Sequence, residues 1–368
     1  MRFSNVCLDA IGTEIPEEIW TSDAIEQRLA PLYERLKLPE GRLALMSGIN
    51  ERRVWAAGTM PSEPSVRSAR RAIEASGIAP ERIGCLIHAS VCRDFLEPAT
   101  ASRVHHELGL PSRCWVYDVS NACLGVMNGA VQIAMMIEAG MIEAGVVVGT
   151  ENSRPLLEQT IAQLNADVAL TRQSVKPAFA SLTIGSGSCA WLLAHRDVVG
   201  SGMSTDTDSR TFLDTAIAEA RTEFHDLCRS DQDSAGAGMT PLMDTDSERL
   251  MAEGIATGAI AFDRLLAEST WTRDQITRSV CHQVGSRHRV AMLEAMGLAP
   301  QRDSVTFPFL GNTGSVALPL TLAAAAKQGE LVRGDQVAML GIGSGINSVM
   351  IAAKWGETKV SGNIDAIA

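Results

Sequence analysis

The chain has 368 residues, of which 46% are hydrophobic and 20% charged, and a formal net charge of −11. That is ordinary globular composition, long enough for one large or two medium cores. The acidic balance, without a long Lys/Arg run, excludes nucleic acid as a partner. The longest apolar window, 130–144, carries Glu138 and Glu143 and falls short of a membrane span.

Taken in chain order, the pattern predicts strands at 6–11, 83–90, 115–119, 145–149, 190–194, 279–282, 337–341 and 347–352. Helical periodicity lies between them at 65–76, 100–108, 124–139, 250–266, 287–296 and 316–326. Gly77 stops the first of these helices. Alternating strands and helices mean an α/β fold with layered sheets covered by helices.

The order of elements repeats. In the first half a strand ending at Ser90 precedes Cys123 by 33 residues, and an apolar helix follows Cys123. In the second half a strand ending at His282 precedes Asn312 by 30 residues, and an apolar helix follows again. Cys123 and Asn312 therefore occupy matching points. The expected division is an N-terminal half, 1–197, and a C-terminal half, 198–368, with a polar insertion at about 205–248. The insertion is rich in Ser, Thr and Asp and reads as a solvated loop, rather than a substrate lid, with one helix near Phe212–His225. The tail after Trp355 lacks periodicity and reads as a fraying end.

The most informative stretch is Asp118-Val119-Ser120-Asn121-Ala122-Cys123-Leu124-Gly125. It puts a thiol between a strand and a buried helix, where the helix N-terminus would favour thiolate, the nucleophilic form. Taken alone, a cysteine there is more often a packed core residue. The other seven cysteines form no C-x-x-C pair, which argues against a zinc site or a secreted disulfide scaffold and for a reducing cytoplasm. His282 ends an apolar strand, where a histidine is usually structural; facing Cys123, it could take the thiol proton or donate to a carbonyl oxygen. Asn312, in Gly311-Asn312-Thr313-Gly314, reads as a turn or as an amide donor to an oxyanion. Gly341-Ile342-Gly343-Ser344-Gly345 lacks the spacing of a nucleotide loop and reads as backbone approaching a site, with amides pointing inward. Glu97, between a strand and a helix, reads locally as an exposed loop carboxylate.

Together these motifs resemble the thiolase superfamily, in its β-ketoacyl-acyl carrier protein synthase III branch. Asn121-Ala122-Cys123-Leu124-Gly125, His282-Gln283-Val284, Gly311-Asn312-Thr313-Gly314-Ser315 and the glycine-rich 341–345 stretch stand in that branch's order and spacing over about residues 3–354. Within the branch the chain most resembles the head-to-head acyl-CoA condensing thiolases of bacterial long-chain olefin biosynthesis. Gly48-Ile49-Asn50-Glu51-Arg52-Arg53 and Ser90-Val91-Cys92-Arg93-Asp94-Phe95-Leu96-Glu97-Pro98 are among the stretches that carry this likeness.

The resemblance implies a five-layered α-β-α-β-α fold and a cytoplasmic homodimer, or a heterodimer with a homologue. It implies a Claisen condensation of two fatty acyl-CoA molecules without decarboxylation, with coenzyme A thioesters as substrates and no metal or redox cofactor. Cys123 is then the acyl-accepting nucleophile, and His282, Asn312 and the backbone amides of Cys123 and Ser344 hold oxyanions. Glu97, 26 residues before Cys123, reaches the partner subunit's site as the base. Downstream pathway enzymes are possible partners. Two other readings stay open: a decarboxylating synthase III using malonyl-carrier protein, and a non-catalytic half of a heterodimer.

Overall fold

The computed structural model describes residues 1–198, 200, 206, 209–230 and 243–367. Ten strands form the main hydrogen-bonded array: β1 Val6–Glu14, β2 Ile83–Ala89, β3 Trp115–Val119, β4 Ala144–Glu151, β5 Gly187–His195, β6 Phe212–Ala220, β7 Arg278–Cys281, β8 Gln336–Gly343, β9 Asn347–Lys354 and β10 Lys359–Gly362. Their order is β7-β8-β9-β6-β1-β5-β4-β2-β3, with β10 parallel to β1. β2 pairs in parallel with both β3 and β4 and is packed on both faces, so Ile83–Ala89 reads as a near-continuous apolar run. β1 meets β6 where Cys7 lies opposite Phe212, and this seam divides the array into two halves.

Six helices build the layers: α1 Ser62–Ser76, α2 Thr100–Leu108, α3 Gly125–Glu138, α4 Ser247–Ser269, α5 Ser286–Met296 and α6 Ala317–Lys327. α1 and α2 cover one outer face, packing Ala69, Ile73 and Val104 on Leu86, Val146 and Leu192. α4 and α5 cover the opposite face, packing Phe262, Leu265 and Met292 on Leu340 and Met350. α3 and α6 lie between the halves: Met127, Ile133, Leu318 and Leu322 share one cluster with Ile87 and Val147 of the first half and Met339 and Ile351 of the second. Helices packed by sheet on both sides must be apolar around most of their circumference, and every residue of α6 from Ala317 to Ala325 is buried. The result is the α-β-α-β-α stack. No helix among the described residues is long and apolar enough to cross a membrane.

Two expectations fail. Phe212–Ala220 is strand β6, paired along its length with β9, not a helix in a solvated insertion. Asp214, Thr215 and three alanines hide a two-residue alternation there, which only the neighbouring strands enforce. Just ahead of β6, Arg210 donates from Nε and Nη2 to Asp9 Oδ1 of β1, with both side chains fully buried, and so links the halves across the seam. The tail is also ordered: β10 pairs with β1, and Ile364 and Ile367 are buried. Thr205, Thr207, Asp208 and 231–242 lie outside the described residues.

Candidate active site

Cys123 stands where β3 turns into α3. Ala122 adopts a left-handed conformation (φ 45°) that reverses the chain, and the first helical residue is Gly125. Glycine at 125 lets the helix start press on β2, since a Cβ there would come within 3.1 Å of Ala89 backbone. Asn312 stands at the matching turn ahead of α6. Gly311 (φ 67°) makes that turn, with its N–H on Phe307 O. Asn312 is held by its N–H on Thr183 O and by Gly185 N–H on its own carbonyl. Its Oδ1 accepts from Gly314 N at 3.0 Å, which leaves the Nδ2 hydrogens as donors for another group.

His282 follows the end of β7, with its backbone N–H on Leu340 O of β8. Its imidazole is buried, and Nδ1 has no hydrogen-bond partner among the described residues. The hairpin between β8 and β9 brings the glycine-rich turn over the nucleophile. A Cβ on Gly343 would lie 3.5 Å from Cys123 N and 3.0 Å from Leu124 Cγ. Asn347 Nδ2 donates to Asn121 Oδ1 at 3.2 Å and clamps the hairpin to the strand end ahead of Cys123.

Cys123, His282, Asn312 and Ser344 line one cavity of about 320 Å³. Its other walls are largely apolar, with Leu43 and Met46 from the Arg42–Ser47 helix, Phe179, Leu250 and Met251 of α4, and Ile342. Cys228, Thr245, Ser247 and Glu248 line it too, so part of the stretch expected to be a solvated loop contributes to the site. His288, on the first turn of α5, is a second histidine in the wall that no sequence motif marks. Glu97 is not in this wall. It sits at the exposed tip of a loop with Phe95 and Leu96, which are 57% and 52% exposed.

That loop is closed at its base. Asp94 N–H donates to Thr100 Oγ1, Asp94 Oδ1 accepts from Ser62 N, and Thr100 N–H donates to Asp118 Oδ2. The tip can therefore project without losing its anchorage.

The electrostatics correct the expectation of a thiolate. The Cys123 thiol is pushed up to about 12, first by burial and then by the negative charge of Glu151 and the neighbouring Cys228. Its own backbone amide acts in the opposite sense and is outweighed. The helix field falls off within a turn and Cys123 lies outside the first turn, so removal from bulk water wins. His282 is pushed down to about 3, by burial and then by His288, and is a neutral imidazole at physiological pH. His288 is pushed down to about 4 by burial. The resting site is thus a thiol beside two neutral imidazoles and an amide: a constellation suited to accepting an acyl group and donating hydrogen bonds to an oxyanion.

Residues 44–179 match the thiolase N-terminal domain family, and residues 266–355 match the 3-oxoacyl-[acyl-carrier-protein] synthase III C-terminal family. The acyl-CoA:acyl-CoA alkyltransferase of Shewanella oneidensis is 38% identical over 96% of this chain and 100% of its own length. This chain belongs to the OleA branch of the thiolase superfamily. The Xanthomonas campestris alkyltransferase is 32% identical over 96% of this chain and 100% of its own length. The solved X. campestris OleA structure with bound lauric acid and lauroyl-CoA superposes with a TM-score of 0.88 at 32% identity, covering 96% of this chain and 100% of that one. A synthase III of Pseudomonas aeruginosa is more distant, at 24% identity over 96% of this chain and 97% of its own. The chain is an acyltransferase of the acyl-CoA condensing class.

Proposed function

We propose that this OleA-type chain joins two fatty acyl-CoA molecules by a Claisen condensation without decarboxylation. The observation that carries this is the convergence of Cys123, His282, Asn312 and Ser344 on one apolar cavity, with a carboxylate, Glu97, held outside it on a braced loop. Cys123 Sγ adds to the first thioester carbonyl while its proton passes to the departing coenzyme A thiolate. The oxyanion is met by the His282 N–H, the Asn312 amide and the backbone amides of Cys123 and Ser344. Each such donor contributes about 2.7–4 kcal/mol to lowering the barrier. The apolar wall of Leu43, Met46, Phe179 and Met251 holds the acyl chain.

Glu97 from a second copy then removes an α-proton from the second acyl-CoA. The carbanion attacks the acyl-Cys123 carbonyl, the C–S bond to Cys123 breaks, and a 2-alkyl-3-ketoacyl thioester forms. Water cleaves this to the β-keto acid and coenzyme A. Homodimerisation is supported by β3, the outermost strand of its half, where Trp115 is 57% exposed on an edge open to pairing. Glu97 and Cys123 are also separated by the same number of residues as the glutamate and the cysteine replaced in solved X. campestris OleA variants. On this reading the two halves, 1–197 and 198–368, divide the chemistry: the first supplies Cys123 and Glu97, the second His282, Asn312 and Ser344.

The test is Glu97→Ala with a single long-chain acyl-CoA and no malonyl donor. Intact-protein mass spectrometry should show acylated Cys123, while β-keto acid formation is lost. Normal condensation by this variant rejects the role of Glu97. The match of 266–355 to the synthase III family supports a second reading, decarboxylation of malonyl-carrier protein. Turnover strictly dependent on that donor would select it.

A further inference from the structure

Glu151 has no part in the chemistry above, yet it sits at its crossing point. It is the last residue of β4, and it is buried, at 5% exposure. Its Oε1 accepts from Ser315 Oγ at 2.6 Å, from Ser315 N at 3.3 Å and from Val91 N at 3.1 Å, and its Oε2 accepts from Cys92 N at 3.4 Å. Val91 and Cys92 begin the loop that carries Glu97. Ser315 lies three residues after Asn312, and Gly314 packs so closely on the carboxylate that a Cβ there would come within 3.2 Å of Glu151 Cδ. A carboxylate buried at a strand end needs such donors to offset its lost hydration. Here all of them come from two segments, the start of the Glu97 loop and the turn that follows Asn312.

We propose that Glu151 is a positioning residue that fastens the root of the Glu97 loop to the Asn312 turn and directs a negative charge at Cys123. The proposal rests on the roles given above to Cys123, Asn312 and Glu97. It explains why an acidic side chain stands at the buried end of a strand whose other residues carry no charge. The charge adds to burial in keeping the empty site in its thiol form, and the two hydrogen-bonded arms keep the base loop and the oxyanion turn in a fixed relation. The groups facing Cys123 electrostatically are Glu151 and Cys228; His282, His288, Glu248 and Arg287 also line its cavity. Cys92, beside the carboxylate, is itself raised by burial and by Glu151.

Two variants of the full chain separate charge from tether, and both readouts work without acyl-CoA. The first is the pH profile of Cys123 alkylation by iodoacetamide, followed on the Cys123 peptide by mass spectrometry. Glu151→Gln should shift it to lower pH, with alkylation at pH 8 several-fold faster, since removing a nearby negative charge raises the thiolate fraction. Ser315→Ala should leave that profile in place but speed hydrogen exchange in peptides covering 91–99 and 312–316. An unshifted profile in folded Glu151→Gln overturns the charge role, and unchanged exchange in Ser315→Ala overturns the tether. If Glu151→Gln does not fold, Glu151→Asp keeps the charge but draws it back by one methylene. It should speed the same exchange and lower condensation kcat without raising KM, and full protection with full turnover would overturn the proposal. Absence of condensation in the unaltered protein would instead reject the function proposed above and leave the alkylation and exchange results standing.

Discussion

The turns that lead into α3 and α6 solve one problem in two ways. Before α3 the chain reverses at Ala122 and presents Cys123; before α6 it reverses at Gly311 and presents Asn312. Both reversals use a left-handed residue directly ahead of the functional one. At Gly311 the environment forbids a side chain, because a Cβ would lie 2.6 Å from Thr183 O. At Ala122 a methyl group is accepted, with a left-handed alanine costing about 1–2 kcal/mol. The nucleophile's turn therefore carries local strain, and the amide's turn carries none but is closed to a side chain without a shift of its neighbours.

The largest expected effect probes the functional ends of the two turns. Asn312→Ala should lower the acylation rate constant by about 10²–10³-fold, the usual loss for one oxyanion donor. Rapid-quench measurement of acyl-enzyme formation checks this, and a loss under tenfold would deny Asn312 that role.

Acidification comes next and falls mainly on the second half. His282 and His288 there, and His88 in β2, are held at about 3, 4 and 4, below the ordinary 6.5, each chiefly by burial. Their folded-state values are depressed, so the unfolded chain binds more protons below about pH 6.5. The stability they contribute is present above that pH and is lost progressively as pH falls toward 4. The cost approaches about 1.4 kcal/mol per histidine per pH unit. Tm measured by calorimetry should fall steadily from pH 7 to pH 5; a flat profile would mean these imidazoles are hydrated.

Gly311→Ala should destabilise by about 1–3 kcal/mol through forced overpacking, with added left-handed strain, as read from urea midpoints. Ala122→Gly is the smallest change. Relief of strain is offset by about 0.4–1 kcal/mol of extra unfolded-chain entropy, so the midpoint should barely move. A large loss there would mean the Ala122 methyl is itself a packing element, and the contrast between the two turns would disappear.

Much of this contrast is legible in the residues themselves. Gly77 ends α1 in the left-handed conformation its position predicts (φ 67°), and α2 and β3 fall on their expected ranges. The matching places of Cys123 and Asn312 follow from element order alone, because each opens an apolar helix that both sheets bury. What escapes depends on distant partners. β6 is a strand because β9 pairs with it, and β10 is ordered because it lies along β1. Neither pairing is visible in local periodicity. Glu151 gives a weak signal, a lone acid closing an apolar strand, and His288 stands six residues beyond His282 on a different element. The protonation state of Cys123 differs from expectation because sequence places a residue relative to a helix end but does not report how much water remains around it.

The raised thiol has a consequence for the protein between turnovers. With the thiol pushed up to about 12, Cys123 stays protonated at neutral pH. Peroxides and stray electrophiles react with thiolates, so the sulfur is chemically quiet while it waits for an acyl group. Durability, as much as speed, is written into the burial of that side chain.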